Sequence, residues 1–163
     1  MKIIFLDHFG VMCLADKHGR VHGKEDRPRS DEMRVHGKFD NFNKETVKVL
    51  NEILIETGAE IVVSSDWKRW ASIEELGEFY ISQGICKKPI DVTPELNNIS
   101  DVKVQRSLEI LKWLEINDKI DSLAVIDDMY LEGLFHNFVW VSRTDQGITQ
   151  DGIKEKLIEK LLI

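Results

Sequence analysis

Cysteine is scarce in this chain. Cys13 and Cys86 are the two cysteines among 163 residues, and they form no metal-binding or redox spacing. A disulfide framework is therefore not expected, and two reduced thiols in a cytoplasmic protein are. Long apolar runs are missing too: none approaches the roughly 20 residues that a membrane span needs. The first residues lack the layout of a signal peptide. Basic excess is absent as well, because 22 Lys and Arg face 29 Asp and Glu, for a net charge of −7. That balance argues against a protein that wraps nucleic acid nonspecifically, though it leaves room for a local groove that takes a phosphate-bearing end. What is present, 42% hydrophobic and 31% charged residues, is the composition of an ordinary globular protein, read as one domain over residues 1–163.

Apolar runs alternate with amphipathic segments along the chain. Lys2 to Leu6 reads as a buried strand that ends on Asp7 and turns at Gly10. From Leu14 to Phe42 the periodicity dissolves into charged and polar residues, seven Lys/Arg against six Asp/Glu, with three of the five histidines. The pentapeptide RVHGK occurs there twice, at Arg20–Lys24 and Arg34–Lys38. The stretch reads as a short cap-like insert over the end of the first strand.

Regular structure resumes with a helix whose Val47, Leu50, Ile53 and Leu54 share a face, with Asn43 as N-cap and Gly58 as stop. Ile61 to Val63 is a second strand, running into Ser64 and Ser65. Ser72 and Glu75 have capping-box spacing and open another helix that ends before Gly84. A short strand at Ile90 to Val92 precedes a long amphipathic helix through Val104, Leu108, Leu111 and Leu114. Leu123 to Ile126 is a strand ending on Asp127-Asp128, Phe138 to Val141 another, and Ile153 to Leu162 the last helix. Unbroken apolar strands between helices predict an α/β fold, a parallel sheet with helices on both faces. Such sheets bind ligands at the carboxyl ends of their strands, and three of these strands end in polar groups there.

Each of those groups has two readings. Asp7 is either a strand-end carboxylate holding a turn, or a nucleophile or metal ligand. Adjacent carboxylates at Asp127 and Asp128 repel unless solvent or a cation intervenes, and oxygen-only ligands on neighbouring strands suit Mg²⁺. Ser64 and Ser65 are turn or capping residues unless a phosphoryl group lies beside them. Lys103 and Arg106 share the start of one helix face, either solvated or as the fixed cation that a phosphoryl group needs.

These elements, in this order, resemble the haloacid dehalogenase (HAD) superfamily. The stretches FDNFNKETVKVLNEILIETGAEIVVSSDWKRW, VTPEL, RSLEILKWLEIN, LAVIDDM and GIT are similar to the small HAD domains of Swiss-Army-knife RNA repair proteins and their phage relatives. The resemblance implies a three-layer, HAD-like Rossmannoid sheet and a Mg²⁺-dependent phosphohydrolase. It implies Asp7 as nucleophile and Ser64, or else Ser65, on the phosphoryl oxygen. Arg106, or else Lys103, would be the cation. Mg²⁺ would lie between Asp7, the backbone carbonyl of Phe9 and Asp127, with Asp128 in support.

One position departs from the pattern. Where the related phosphatases carry the aspartate that protonates the leaving group and activates water, this chain has Phe9. Acid–base help of that kind is worth roughly 10²–10⁴-fold, so a slow enzyme is expected. His8 should point to the opposite side, while His18, His22, Asp26, His36 or Asp40 in the insert could reach over the site. An aromatic at this position occurs in the dehalogenases, which use no metal but lack the acidic pair in this form. The readings are thus a phosphatase, a catalytically weak phosphate-binding module and a metal-free dehalogenase, in that order. A short insert in place of a full cap suits a large phosphorylated substrate such as an RNA or DNA end. Trp67 and Trp70 either stack on a base or pack in the core.

Overall fold

Five short strands, rich in Ile, Val and Phe, assemble into one parallel sheet, with an α-helix in three of the four connections and a short 3-10 turn, Phe135–Asn137, in the fourth. The computed structural model describes residues 1–16 and 38–163. Both copies of RVHGK apart from Lys38, and with them His18, His22, Asp26 and His36, lie outside the described residues. Strands β1 (Lys2–Leu6), β2 (Glu60–Val63), β3 (Asp91–Val92), β4 (Ser122–Asp127) and β5 (Phe138–Trp140) lie in the order β3-β2-β1-β4-β5. Every pairing is parallel. The order reverses between β1 and β4, which makes the crevice beyond those two strands the expected ligand site. No helix among the described residues is long and apolar enough to cross a membrane.

Helices α1 (Lys44–Thr57), α2 (Ile73–Ser82) and α4 (Ile153–Leu162) cover one face, and α3 (Val102–Ile116) covers the other. The first face packs Ile4, Leu6, Ile61, Val63 and Ile126 against residues such as Leu50, Ile53 and Leu157. The second packs Ile3, Phe5, Val62 and Val125 against Ile110 and Trp113 of α3. The helix boundaries follow local chemistry. Asn43 caps α1 by accepting from the backbone N–H of Glu45 and Thr46, and Gly58 closes it with φ of 72°. Ser72 and Glu75 form the expected capping box on α2. Phe39 and Phe42, from the end of the aperiodic stretch, are buried in the first core.

The expected inward face of α3 needs correction. Val104, Leu108 and Leu111 are exposed, while Arg106, Glu109, Ile110 and Trp113 are buried. Ion pairs made by Arg106 and Glu109 rotate the helix away from its most apolar stripe.

Gly147, in the GIT stretch, shows why a small residue is needed there. Its φ is +58°, and a Cβ would lie 2.2 Å from the Val11 carbonyl oxygen. The next residue, Ile148, donates its N–H to that same carbonyl at 3.0 Å, so the two loops cannot separate without losing the bond. Gly58 also has positive φ but nothing within 4 Å of a Cβ. Gly58→Ala should therefore cost about 1–2 kcal/mol of left-handed strain alone. Gly147→Ala adds a backbone clash and should lower Tm clearly more, by upwards of roughly 5 °C. Thermal melts of the two variants check this, and equal losses would contradict it.

Candidate active site

One register row crosses the sheet at its carboxyl edge. Leu6 pairs with Val63 and Ile126, Val63 with Val92, and Ile126 with Val139. One residue further on, the row reads Thr93, Ser64, Asp7, Asp127 and Trp140, and Asp127 pairs with Trp140 in register. The ladder continues through it: Ser64 N–H donates to Leu6 O at 3.1 Å, Asp7 N–H to Ile126 O at 3.3 Å and Thr93 N–H to Val63 O at 3.0 Å. Side chains alternate along a strand, so Asp7 and Asp127 lie on the face of Phe5 and Val125, the face that α3 covers.

Arg106 enters from α3 and joins the two central strands. Its Nη1 donates to Asp7 Oδ1 at 3.1 Å and to Asp127 Oδ2 at 2.7 Å. Its Nη2 lies 3.5 Å from Asp66 Oδ1. Asp127 Oδ1 accepts from the Met129 N–H at 2.9 Å. Asp7, Asp127 and Arg106 are all buried. Lys103, the other basic residue on this turn, is exposed on the helix surface.

Asp128 completes an acidic cluster with Asp7 and Asp127, whose carboxylate oxygens lie within 4.8 Å of one another. Three carboxylates against one guanidinium leave an excess of two negative charges when all are ionised. The consequence appears in the proton affinities. Burial, then repulsion from Asp127, pushes Asp7 well above the usual carboxylate range, with Arg106 opposing. Burial pushes Asp127 up to about 7, again against the pull of Arg106. Burial alone would lower the proton affinity of Arg106, but Asp7 and then Asp127 hold it above its ordinary value. A cluster of oxygens with this charge excess can hold a hard cation. Gly10 permits it: with φ of +76°, a Cβ there would lie 2.7 Å from Asp128 Oδ2.

The two serines separate cleanly. Ser64 Oγ is buried beside Asp7 and has no hydrogen-bond partner among the described residues. An orphaned hydroxyl in such a place is costly unless a ligand supplies its partner. Ser65 is committed elsewhere, since its Oγ accepts from Trp67 N–H at 3.0 Å and bonds His8 Nδ1 at 2.7 Å. The capping reading of Ser65 is the one the geometry carries.

His8, next to Asp7 and just beyond β1, points away from the carboxylates. Its Nε2 lies 2.5 Å from Tyr80 Oη, and its ring packs 4.1 Å from that of Trp67. Burial, and then the charge of Arg106, push its pKa down to about 3, so it is neutral. Phe9 packs edge-on against Trp67, with ring centroids 5.5 Å apart. Trp67 is fully enclosed by such aromatics, whereas Trp70 is half exposed. Asp40 is buried next to Cys13, whose Sγ donates to its carbonyl at 3.8 Å.

A second buried ion pair escaped sequence reasoning. Lys68 Nζ bonds Glu109 Oε2 and Thr93 Oγ1, the latter at 2.8 Å, with both charged side chains 2% exposed. Glu109 Oε1 accepts from Leu96 N–H at 2.9 Å, so one pair ties the segment after β2, the segment after β3 and α3 together. The strand-end rule that singled out Ser64 would have found Thr93, which follows Val92 in the same way.

A strand order of this kind, with aspartates ending both central strands and an arginine between them, defines a HAD-type Rossmann-like domain. The chain belongs to the family described as HAD domain in Swiss Army Knife RNA repair proteins, whose model matches residues 3–153. Neither a curated protein nor a solved structure matches the chain.

Lys68 is the removable half of the second pair. Lys68→Met leaves Glu109 charged and buried, which should cost about 3–5 kcal/mol. Pairing it with Glu109→Leu should recover much of that loss. Urea unfolding of the single and double variants checks this, and a single variant as stable as wild type would contradict the pairing.

Proposed function

We propose that the chain is a Mg²⁺-dependent phosphohydrolase that uses Asp7 as nucleophile on a phosphorylated RNA or DNA end. The observation that carries this reading is the row itself: a Ser64 hydroxyl with no partner among the described residues on one side of Asp7 and an over-charged carboxylate pair on the other. A phosphoryl group seated there gives Ser64 Oγ its missing acceptor. Asp7 Oδ would attack phosphorus as the bond to the leaving oxygen breaks, that oxygen taking a proton from solvent. Water would then cleave the aspartyl phosphate to release phosphate and restore Asp7. Arg106, fixed by Asp127, holds Asp7 in line and offers positive charge to the equatorial oxygens. Asp7, the Phe9 carbonyl and Asp127 would hold Mg²⁺, with Asp128 supporting. When bound, Mg²⁺ supplies the charge that lets a phosphate lie against carboxylates.

Proton transfer is the weak point. Phe9 has no proton to give, and neutral His8 is turned into the core between Ser65 and Tyr80. Slow turnover follows, and it favours a second reading in which the domain binds phosphorylated ends with little catalysis. A metal-free dehalogenase is disfavoured, because it has no use for the charge excess at Asp127 and Asp128.

Phosphate release from an aryl phosphate and from an oligonucleotide 3′-phosphate tests the assignment. Release should need Mg²⁺ and vanish in Asp7→Asn. Phe9→Asp should raise kcat on the 3′-phosphate by up to roughly 10²–10⁴-fold, and less on the aryl ester, whose leaving group needs little protonation. End binding in Mg²⁺ without turnover in either protein would favour the binding module. Metal-free chloride release from 2-chloropropionate would favour the dehalogenase.

A further inference from the structure

Trp140 and Tyr130 are large apolar side chains left in solvent, 46% and 52% exposed, at the edge where the carboxylates gather. Trp140 is the register partner of Asp127. Its indole Nε1 donates to the Asp128 carbonyl at 3.0 Å. The Tyr130 ring stands edge-on to the indole at 5.4 Å, with 87° between planes, and is backed by Phe138 at 5.9 Å. The indole is thus exposed yet fixed in orientation by a hydrogen bond on one side and a ring on the other. Neighbouring strands lie about 4.8 Å apart, so Trp140 stands one strand spacing from Asp127 and two, about 10 Å, from Asp7.

We infer that Trp140, buttressed by Tyr130, is a stacking subsite for the nucleobase of the terminal nucleotide whose phosphate lies at Asp7. The inference rests on the phosphorylated-end reading and adds to it how the end is held. A chain of net charge −7, with its acidic cluster at the same rim, offers little electrostatic attraction to a polyanion. Stacking of a base on a fixed aromatic face adds to the contacts made at the phosphate and does not itself depend on charge. Every base has a π-face, so such a subsite is tolerant of sequence and demands only that a base be present. Trp140 is therefore a residue for recognising ends rather than sequences.

The test compares two pentanucleotides ending in a 3′-phosphonate, which cannot be hydrolysed; one has a base on its last nucleotide and the other is abasic there. Binding is followed in Mg²⁺ by calorimetry and by indole fluorescence. Wild type should bind the base-bearing end roughly tenfold more tightly, with quenching. Trp140→Ala should abolish the difference between the two ends, Trp140→Phe should keep most of it, and Tyr130→Ala should reduce it even if Trp140→Ala fails to fold. Equal wild-type affinity for the two ends overturns the subsite and leaves the phosphorylated-end reading standing. Binding of neither end overturns both. A wild-type dimer in sedimentation that Trp140→Ala converts to monomer would make the pair a contact between copies, and the subsite would again be overturned.

Discussion

The guanidinium of Arg106, held between Asp7 and Asp127, is the interaction on which the site depends. Two carboxylates at the ends of adjacent buried strands would repel and take up protons if nothing stood between them. Arg106 spans both with one nitrogen, and to do so it turns α3 by its polar side. That rotation draws Ile110 and Trp113 into the second core and leaves Val104, Leu108 and Leu111 in water. The helix is thus placed by electrostatics, and its apolar packing follows from where the arginine must be. Glu109, one turn on, repeats the arrangement with Lys68 and fixes the segments after β2 and β3.

The same interaction explains why the aspartates remain chemically unfinished. One guanidinium cannot match three carboxylates, and burial magnifies the remainder. Stability would be better served by removing a carboxylate or adding a second cation. The retained excess, beside a buried Ser64 hydroxyl that has no partner among the described residues, is a cost that a bound cation and phosphoryl group would relieve. By contrast, the other side of β1 is complete: His8 has partners at both ring nitrogens, and Trp67 is sealed by aromatics. Phe9 is anchored to that aromatic cluster through Trp67.

Much of this was legible in the chain, for identifiable reasons. Strand ends were readable because the apolar runs stop abruptly at Asp7, Ser64 and Asp127. Helix ends were readable because Asn43, Gly58 and Ser72 act through their immediate neighbours. The buried face of α3 was not legible, since a helical stripe records hydrophobicity and not the distant carboxylates that pull Arg106 inward. The division of labour between Ser64 and Ser65 was hidden for a similar reason: it depends on His8, 57 residues away in sequence. Trp140 is not legible in the sequence because nothing local distinguishes an exposed tryptophan from a packed one. Its register with Asp127 is a property of the sheet.

Mg²⁺-dependent thermal stability measured against pH reads the charge excess at Asp7, Asp127 and Asp128. Asp127 takes up its proton near pH 7 in the folded chain, above its unfolded value. Its stabilising contribution in the absence of metal is therefore present at low pH and lost as pH rises through about 7. Mg²⁺ needs the deprotonated carboxylates, so the rise in Tm that it produces should grow from pH 6 to pH 8 and disappear in Asp127→Asn. A Mg²⁺ effect equal at both pH values, or equal in wild type and Asp127→Asn, would contradict a carboxylate excess that a bound cation relieves.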